Sequence, residues 1–150
     1  MRAVIQRSAR ASVSVDGKVV GEINHGLVIL LGVKTGDNEA DADYLADKIV
    51  NLRIFPDGED KMNRSLLGTG GQALIISQFT LYGDSRRGRR PSFIEAAPPQ
   101  QAKQLYDYFV NRVQACGITT ATGTFQAMMS VQLVNEGPVT LIVESKPDQT

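Results

Sequence analysis

Only two stretches of this chain carry helical periodicity, and that shortage of helix is the strongest constraint on its fold. Residues 38–52 set Leu45, Ile49 and Leu52 at i, i+4, i+7, with Asp37 or Asn38 in the capping position. The stretch QQAKQLYDYFVNRVQAC sets Leu105, Phe109, Val113 and Cys116 on one stripe. Pro98 and Pro99 pre-set its start and Gly117 stands as its C′ residue. The remainder reads as β-structure and loops. The order ββ, β, α, ββ, α, βββ predicts an α+β domain: curved, partly closed, barrel-like sheets covered by two helices, with residues 1–150 as one domain. A doubly wound parallel sheet would require a helix between most strand pairs.

Val4 and Ile5 begin a first strand, and ASVSVDGKVVGEI predicts a hairpin around Asp16-Gly17. After the Asn24-His25-Gly26 turn, LVILLGV is a continuous apolar run, which suits a strand buried on both faces. RIF is a short strand, PDGEDKMNRSLLGTGGQ a polar loop, and ALIISQFTLYG a second buried strand running into the loop DSRRGRRPSF. ITTATGTF, MMSVQLV and VTLIVES complete the β content, and KPDQT reads as a frayed tail. Gly137-Pro138 interrupts this last region. Proline has no N–H for a central ladder, so the pair marks an edge, a bend or a site. Taken alone it reads as a turn between two strands.

Charge and composition narrow the function classes. Sixteen basic residues balance sixteen acidic ones, which predicts no strong non-specific affinity for nucleic acid, DNA included. No apolar run approaches membrane-spanning length. The N-terminus has no secretory pattern and Cys116 is the single cysteine, so a cytoplasmic location is expected. One cysteine and one histidine, without metal-ligand spacing, predict no metal site. His25 reads as a solvated turn residue, and Cys116 as a small buried hydrophobe. Ser77 lacks the G-x-S-x-G elbow, and GTGGQ lacks the Lys-Ser/Thr of a P-loop.

Three features remain. SQFTLY puts Ser77, Gln78 and Thr80 at the end of an apolar strand, where polar groups must be satisfied or used. RRGRR puts Arg86, Arg87, Arg89 and Arg90 in one loop, which suits either a solvated surface or bidentate phosphate contacts. NEGPVT holds the Gly-Pro pair.

Together these segments resemble the D-aminoacyl-tRNA deacylases, and the match runs the length of the chain. It begins with MRAVIQR and RASVSVDG, continues through LRIFPDGEDKMN, and is most specific in SQFTLYGD, GRRPSF, TGTF and LVNEGPVT. SQFTLY and N-x-G-P-V-T are the two family signatures, in order and about 55 residues apart. Gln126, Met128 and Arg64 depart from the usual pattern.

The resemblance implies a homodimeric hydrolase without cofactor or metal. Its substrates would be the esters that join a D-amino acid, or glycine mischarged on tRNA(Ala), to the terminal adenosine of tRNA. Ser77, Gln78, Phe79 and Thr80 would form the catalytic site. Backbone N–H groups near Phe79 and Thr80 would hold the scissile carbonyl oxygen, and the RNA 2′-OH would assist. Nothing in the sequence supplies a base to make Thr80 a covalent nucleophile. Gly137 and Pro138, joined by a cis bond and supported by Asn135, Arg7 and Gln6, would enter the partner's site and reject L-amino acids by steric clash. Phe125 and Met129 would take the terminal adenine, and the four arginines the tRNA phosphates. Two alternatives remain open: a non-catalytic module that binds the tRNA acceptor end, and an editing domain for L-aminoacyl-tRNA.

Overall fold

The structure, a computed structural model, describes residues 1–146. Its elements follow as β1 (Arg2–Val15), β2 (Lys18–Ile23), β3 (Gly26–Gly32), α1 (Glu39–Asn51), β4 (Phe55–Pro56), β5 (Met62–Arg64), α2 (Leu66–Thr69), β6 (Gln72–Ser77), a 3-10 turn (Phe79–Tyr82), α3 (Pro99–Ala115), β7 (Thr120–Thr122) and β8 (Ser130–Glu144).

β1 organises the sheet. Its first half pairs with β3 through Arg2↔Gly32 to Ser8↔Gly26, its second half with β2, and β8 runs antiparallel along almost its whole length. β3, β6 and β7 continue as parallel neighbours. At the far edge β2 comes back against β7, where a Cβ at Gly21 would stand 2.5 Å from the carbonyl oxygen of Thr122. Glycine permits that backbone approach, and the sheet nearly closes into a barrel.

The near-closure explains the continuous apolar run of β3. One face, Leu27, Ile29 and Leu31, packs with Ala73 and Ile75 of β6 under α1 and α3. The other face, Val28, meets Leu74 and Ile76 of β6, Ala11 and Val13 of β1, and Ile23 in a smaller cluster inside the barrel. A strand with side chains buried on both faces has no polar alternation to show.

Asn38 caps α1: its side-chain oxygen accepts from the N–H groups of Ala40 (3.0 Å) and Asp41 (3.4 Å), and Asp41 accepts from the N–H of Asn38 (2.9 Å). This capping box satisfies donors that the first turn leaves unpaired. Leu45 and Ile49 are buried as the spacing predicts, whereas Leu52 is the C-cap. α3 begins at Pro99 and ends before Gly117, whose φ of +91° suits the C′ position. The Tyr106 hydroxyl donates to the carbonyl of Ile75 (2.6 Å), tying α3 to β6, and burial pushes its phenol well above the ordinary range. Cys116 packs half-buried against the core, as its place on the stripe implies.

Several sequence expectations are corrected. The two-helix count misses α2, a single turn capped by Ser65, whose hydroxyl accepts from the N–H of Gly68 (2.9 Å) and whose Leu66 is fully buried. The segment read as a polar loop also holds β5, which pairs with β4 through Phe55↔Arg64, and the strand read at RIF shifts to Phe55–Pro56. β1 is one strand of 14 residues where a short strand and a separate hairpin arm were expected. The strand read from Ala73 to Gly83 stops at Ser77. There Gln78 donates to Leu31 (2.8 Å), and Leu81 N–H then turns back to Gln78 carbonyl (3.2 Å). ITTATGTF keeps only Thr120–Thr122 as strand. The last two strands are one, β8, because Gly137-Pro138 bulges out between two paired stretches of the same ladder to β1 and is not a turn between strands. The frayed-tail reading of KPDQT falls mostly on residues 147–150, outside the described residues.

Candidate active site

Between Gln6↔Thr140 and Ser8↔Asn135 the ladder of β1 and β8 slips, so that Glu136, Gly137, Pro138 and Val139 all lie opposite Arg7. The result is an outward bulge at whose crest Gly137 and Pro138 are exposed, joined by a cis peptide bond. Proline is tolerated in the strand because the bulge removes it from the ladder.

Arg7 braces this bulge from beneath. It is 9% exposed; its Nε donates to the carbonyl of Glu136 (3.0 Å) and its Nη1 to the carbonyl of Ile54 (2.7 Å). A rigid guanidinium fork is well matched to two carbonyls at fixed positions. Asn135 closes the bulge from within, accepting from Val139 N–H (3.3 Å) and donating to the Thr140 hydroxyl (3.1 Å), which also receives the Gln6 amide (3.3 Å). Arg7, Gln6 and Asn135 therefore converge on the Gly-Pro segment. A Cβ at Gly137 would point inward, 2.9 Å from Arg7 Nη2, and not toward open space.

The second signature lies elsewhere. Ser77 ends β6, and Gln78 turns the chain into the 3-10 turn, its amide donating to the Thr80 hydroxyl. A 3-10 turn leaves its first N–H groups without internal acceptors. Among the described residues those of Phe79 and Thr80 have no hydrogen-bond partner, and both residues are exposed. Two adjacent N–H donors at an exposed turn suit a carbonyl oxygen that gains negative charge. Phe79 stacks edge-on against Phe93, with ring centroids 5.2 Å apart.

One chain does not bring these two motifs together. The turn is anchored at the start of β1, where Arg2 Nη1 donates to the carbonyl of Leu81 (2.8 Å), whereas the bulge sits at Arg7. Those anchors lie five residue steps apart along β1, about 17 Å at the usual rise.

Phe125 and Met129 also part company. Phe125 is half-buried against the main core, 6.1 Å from the Tyr106 ring, and lines an open groove of 450 Å³ with Pro99, Gln100, Lys103, Gln104 and Gln126. Met129 packs instead on the barrel interior, its sulfur close to Gly123. Of the departing residues, Gln126 has φ +65° at the turn after Phe125, Met128 is 91% exposed, and Arg64 donates to the carbonyl of Gly68 (3.1 Å).

The arginine loop is closed at its base by paired backbone hydrogen bonds between Asp84 and Ser92 (2.7 and 2.9 Å). Arg86 is distinct from the other three. Its Nε and Nη2 reach the Asp84 carboxylate (2.9 and 2.7 Å), and these hydrogen bonds hold that carboxyl down to about 2. Asp84 is therefore charged at neutral pH and compensates Arg86. Arg87, Arg89 and Arg90 have no ion-pair partner among the described residues.

Sequence reasoning missed two contributors to the bulge. The Ile54 carbonyl carries no side-chain signal at all. His25, read as a solvated turn residue, is indeed exposed, but its Nε2 stands 3.8 Å from Glu136 Oε1 and its ring lies edge-on to Phe55. Among the described residues, no three His, Cys, Asp or Glu side chains are grouped so as to hold a metal, and no helix is long and apolar enough to cross a membrane.

Residues 4–144 match the family described as D-Tyr-tRNA(Tyr) deacylase. A D-aminoacyl-tRNA deacylase of Fervidobacterium nodosum is 60% identical over 146 residues, covering 97% of this chain and 98% of the relative. One from Desulfatibacillum aliphaticivorans is 62% identical over 146 residues, covering 97% and 100%. A solved structure named c-Myc DNA Unwinding Element Binding Protein superposes with a TM-score of 0.91 at 35% identity, covering 97% of this chain and 99% of its own. Another, described as a probable eukaryotic D-amino acid tRNA deacylase, shares the fold with a TM-score of 0.83 at 18% identity, covering 95% and 98%. With both signature motifs in place and matches that run nearly end to end, the chain belongs to the D-Tyr-tRNA(Tyr) deacylase family.

Proposed function

We propose that this protein removes a D-amino acid, or glycine mischarged on tRNA(Ala), from the terminal adenosine of tRNA, and that the Gly137-Pro138 segment of a partner subunit rejects L-aminoacyl-tRNA. Membership of the family makes the chain a hydrolase acting on ester bonds, and an aminoacylated tRNA its class of substrate. The finer reading is carried by one observation. The Gly-Pro segment stands exposed on a braced bulge, anchored about 17 Å along β1 from the turn that offers free N–H donors. A complete site then requires the segment from a second copy. β8 is suited to meet one: among the described residues its outer edge has no strand partner, and Val134, Leu141 and Ile142 are exposed along it.

In this reading the ester carbonyl oxygen sits between the N–H groups of Phe79 and Thr80, and Ser77 and Gln78 set the turn. Thr80 orients substrate or water through a hydroxyl already held by Gln78. Water adds to the carbonyl carbon, the bond to the ribose oxygen breaks, and that oxygen takes a proton with help from the neighbouring 2′-OH. An α-ammonium-activated ester needs positioning and oxyanion stabilisation more than a strong base. A fixed segment where an L side chain would fall excludes every L-amino acid alike, and glycine, with hydrogen on both sides, passes. Phe125 stacks on the terminal adenine from its groove beside α3, without Met129, which packs on the other side of the sheet, and the reaction belongs to the cytoplasm.

Because Thr80 has no base at hand, binding to the acceptor end without chemistry is the competing account. D-tyrosyl-tRNA given to substoichiometric protein separates them: many equivalents of tyrosine per subunit are expected, and stoichiometric binding without release would overturn the proposal.

The arginine loop supplies a separate prediction. Neutralising Arg87, Arg89 and Arg90 together should weaken tRNA binding and reduce the slope of log affinity against log salt by about 2–3. Neutralising Arg86 alone should change the slope less, because Asp84 already compensates it. Filter binding across a salt series reads both, and an unaltered slope in the triple variant would assign the loop to solvent.

A further inference from the structure

We infer that Arg2 is a positioning residue for the turn Phe79–Tyr82, fixing the direction in which its Phe79 and Thr80 N–H groups point. The inference rests on the reading of those groups as donors to the ester carbonyl oxygen.

Three contacts hold the Arg2 guanidinium from three directions. Its Nε donates to Glu144 Oε1 (2.6 Å), its Nη1 donates to the carbonyl of Leu81 (2.8 Å), and its Cζ lies 4.8 Å from the centroid of the Tyr82 ring. Arg2 and Glu144 are also direct partners in the ladder of β1 and β8, so the ion pair stands on paired backbone, and both side chains are only a quarter exposed. A planar fork committed to two oxygens and stacked on a ring has little freedom left.

Leu81 and Tyr82 belong to the turn that carries the donors. The same turn is seated from beneath on Gly32, the partner of Arg2 on β3: a Cβ there would stand 3.1 Å from the Gln78 carbonyl oxygen and from Leu81 Cβ, and 3.2 Å from Tyr82 Cδ2. At the entrance of the turn the N–H of Gln78 donates to the carbonyl of Leu31 (2.8 Å). The entrance is thus held by β3 and the exit by Arg2. Leu81 is two residues from Phe79, roughly 4 Å at the 3-10 rise, so a tilt at the Leu81 carbonyl is passed on to the donors. Such donors act on a developing oxyanion only from about 2.7–3.1 Å, and a small tilt is therefore felt in the rate.

The test is Arg2→Met, which keeps the length of the side chain and removes both donors, in steady-state hydrolysis of D-tyrosyl-tRNA. Its kcat should fall about tenfold with KM held within about twofold, because neither the arginine loop nor the groove at Phe125 is touched. Arg2→Lys, which restores the charge without the fork, should recover part of the loss. Amide hydrogen exchange in Arg2→Met should quicken at Leu81 and Gly83, whose N–H groups close the turn, and not along β6. An unchanged kcat overturns the inference, as does a lower kcat accompanied by faster exchange throughout β1 and β6, which would make Arg2 a residue of the fold alone. Should Arg2→Met not fold, Arg2→Lys decides by the same two readings. Phe79→Pro measured against Phe79→Ala distinguishes the two levels: both lose the ring, and only the first loses an N–H, at the first position of a turn, where proline fits. If kcat is about 10²-fold lower in Phe79→Pro than in Phe79→Ala while Arg2→Met behaves as the unaltered protein, only the Arg2 assignment falls. If the two Phe79 variants are equal, the donor reading falls and this inference with it.

Discussion

Gly137→Ala should lower kcat/KM for a D-aminoacyl ester by about 10²-fold while leaving the oligomeric state unchanged. The residue has a φ of +127°, where an L side chain costs about 1–3 kcal/mol. The added methyl carbon would also stand 2.9 Å from Arg7 Nη2 and 3.0 Å from Val139 Cγ2. Arg7 cannot give way cheaply, because its Nε and Nη1 are committed to the carbonyls of Glu136 and Ile54. The bulge must therefore move instead, carrying Pro138 with it. A displacement of about 1 Å at a positioning element is enough for a loss of this size. The effect thus comes through the brace beneath the segment and not through a methyl group facing substrate. Steady-state kinetics on D-tyrosyl-tRNA with size-exclusion chromatography checks both halves. Unchanged kinetics would remove the segment from the site.

The largest expected loss of stability lies at Gly26. A Cβ there would be 1.8 Å from the carbonyl oxygen of Gln72 and 2.7 Å from its carbonyl carbon and nitrogen, all backbone atoms. No rotamer change relieves such a contact, so the first pair of the β3–β6 ladder, Gly26↔Gln72, would have to separate. Overpacking typically costs about 1–3 kcal/mol, and a backbone clash of this kind belongs at or above the top of that range. For a domain of this length about 3 kcal/mol lowers Tm by roughly 6–12 °C. Gly58→Ala is the matched control: a Cβ there meets nothing within 4 Å, and its change should stay within about 0.5 kcal/mol. Equal melting temperatures for the two variants would contradict the geometry at the β3–β6 junction.

Neither glycine announces its role in the sequence, and the reasons differ. Gly26 reads as an ordinary turn residue after Asn24-His25, because what forbids a side chain there is the backbone of Gln72, 46 residues on. Gly137 stands in a family signature, so its importance was legible, but the direction in which its Cβ would point depends on the bulge against Arg7. The same division runs through the fold. α1, α3 and the doubly buried β3 follow from spacing, capping residues and an unbroken apolar run, all local signals. α2 is one turn long, too short for periodicity to register, and its capping serine lies inside a polar stretch. The strand expected to continue to Gly83 stops at Ser77 because Leu81 N–H turns back to the Gln78 carbonyl and Gly83 N–H to that of Thr80, a turn that the β-propensity of the segment does not register.

The site shows the pattern again. Arg7, Gln6 and Asn135 were expected to support Gly137 and Pro138, and the hydrogen bonds gather them there. Phe125 and Met129 share a short stretch of sequence yet pack on opposite sides of the sheet, because the barrel wall passes between them. RRGRR reads as four equivalent charges, and only the fold shows that the Asp84 carboxylate neutralises one of them.

The account stands on hydrolysis that depends on the hand of the amino acid. Incubation of the protein with D-tyrosyl-tRNA, glycyl-tRNA(Ala) and L-tyrosyl-tRNA in parallel, with release of labelled amino acid followed over time, tests this directly. Rapid release from the D and glycyl substrates with no release from the L substrate above the spontaneous rate is the expected result. Equal hydrolysis of all three would contradict the chiral filter, and preferential hydrolysis of the L substrate would make the protein an editing enzyme of the opposite specificity.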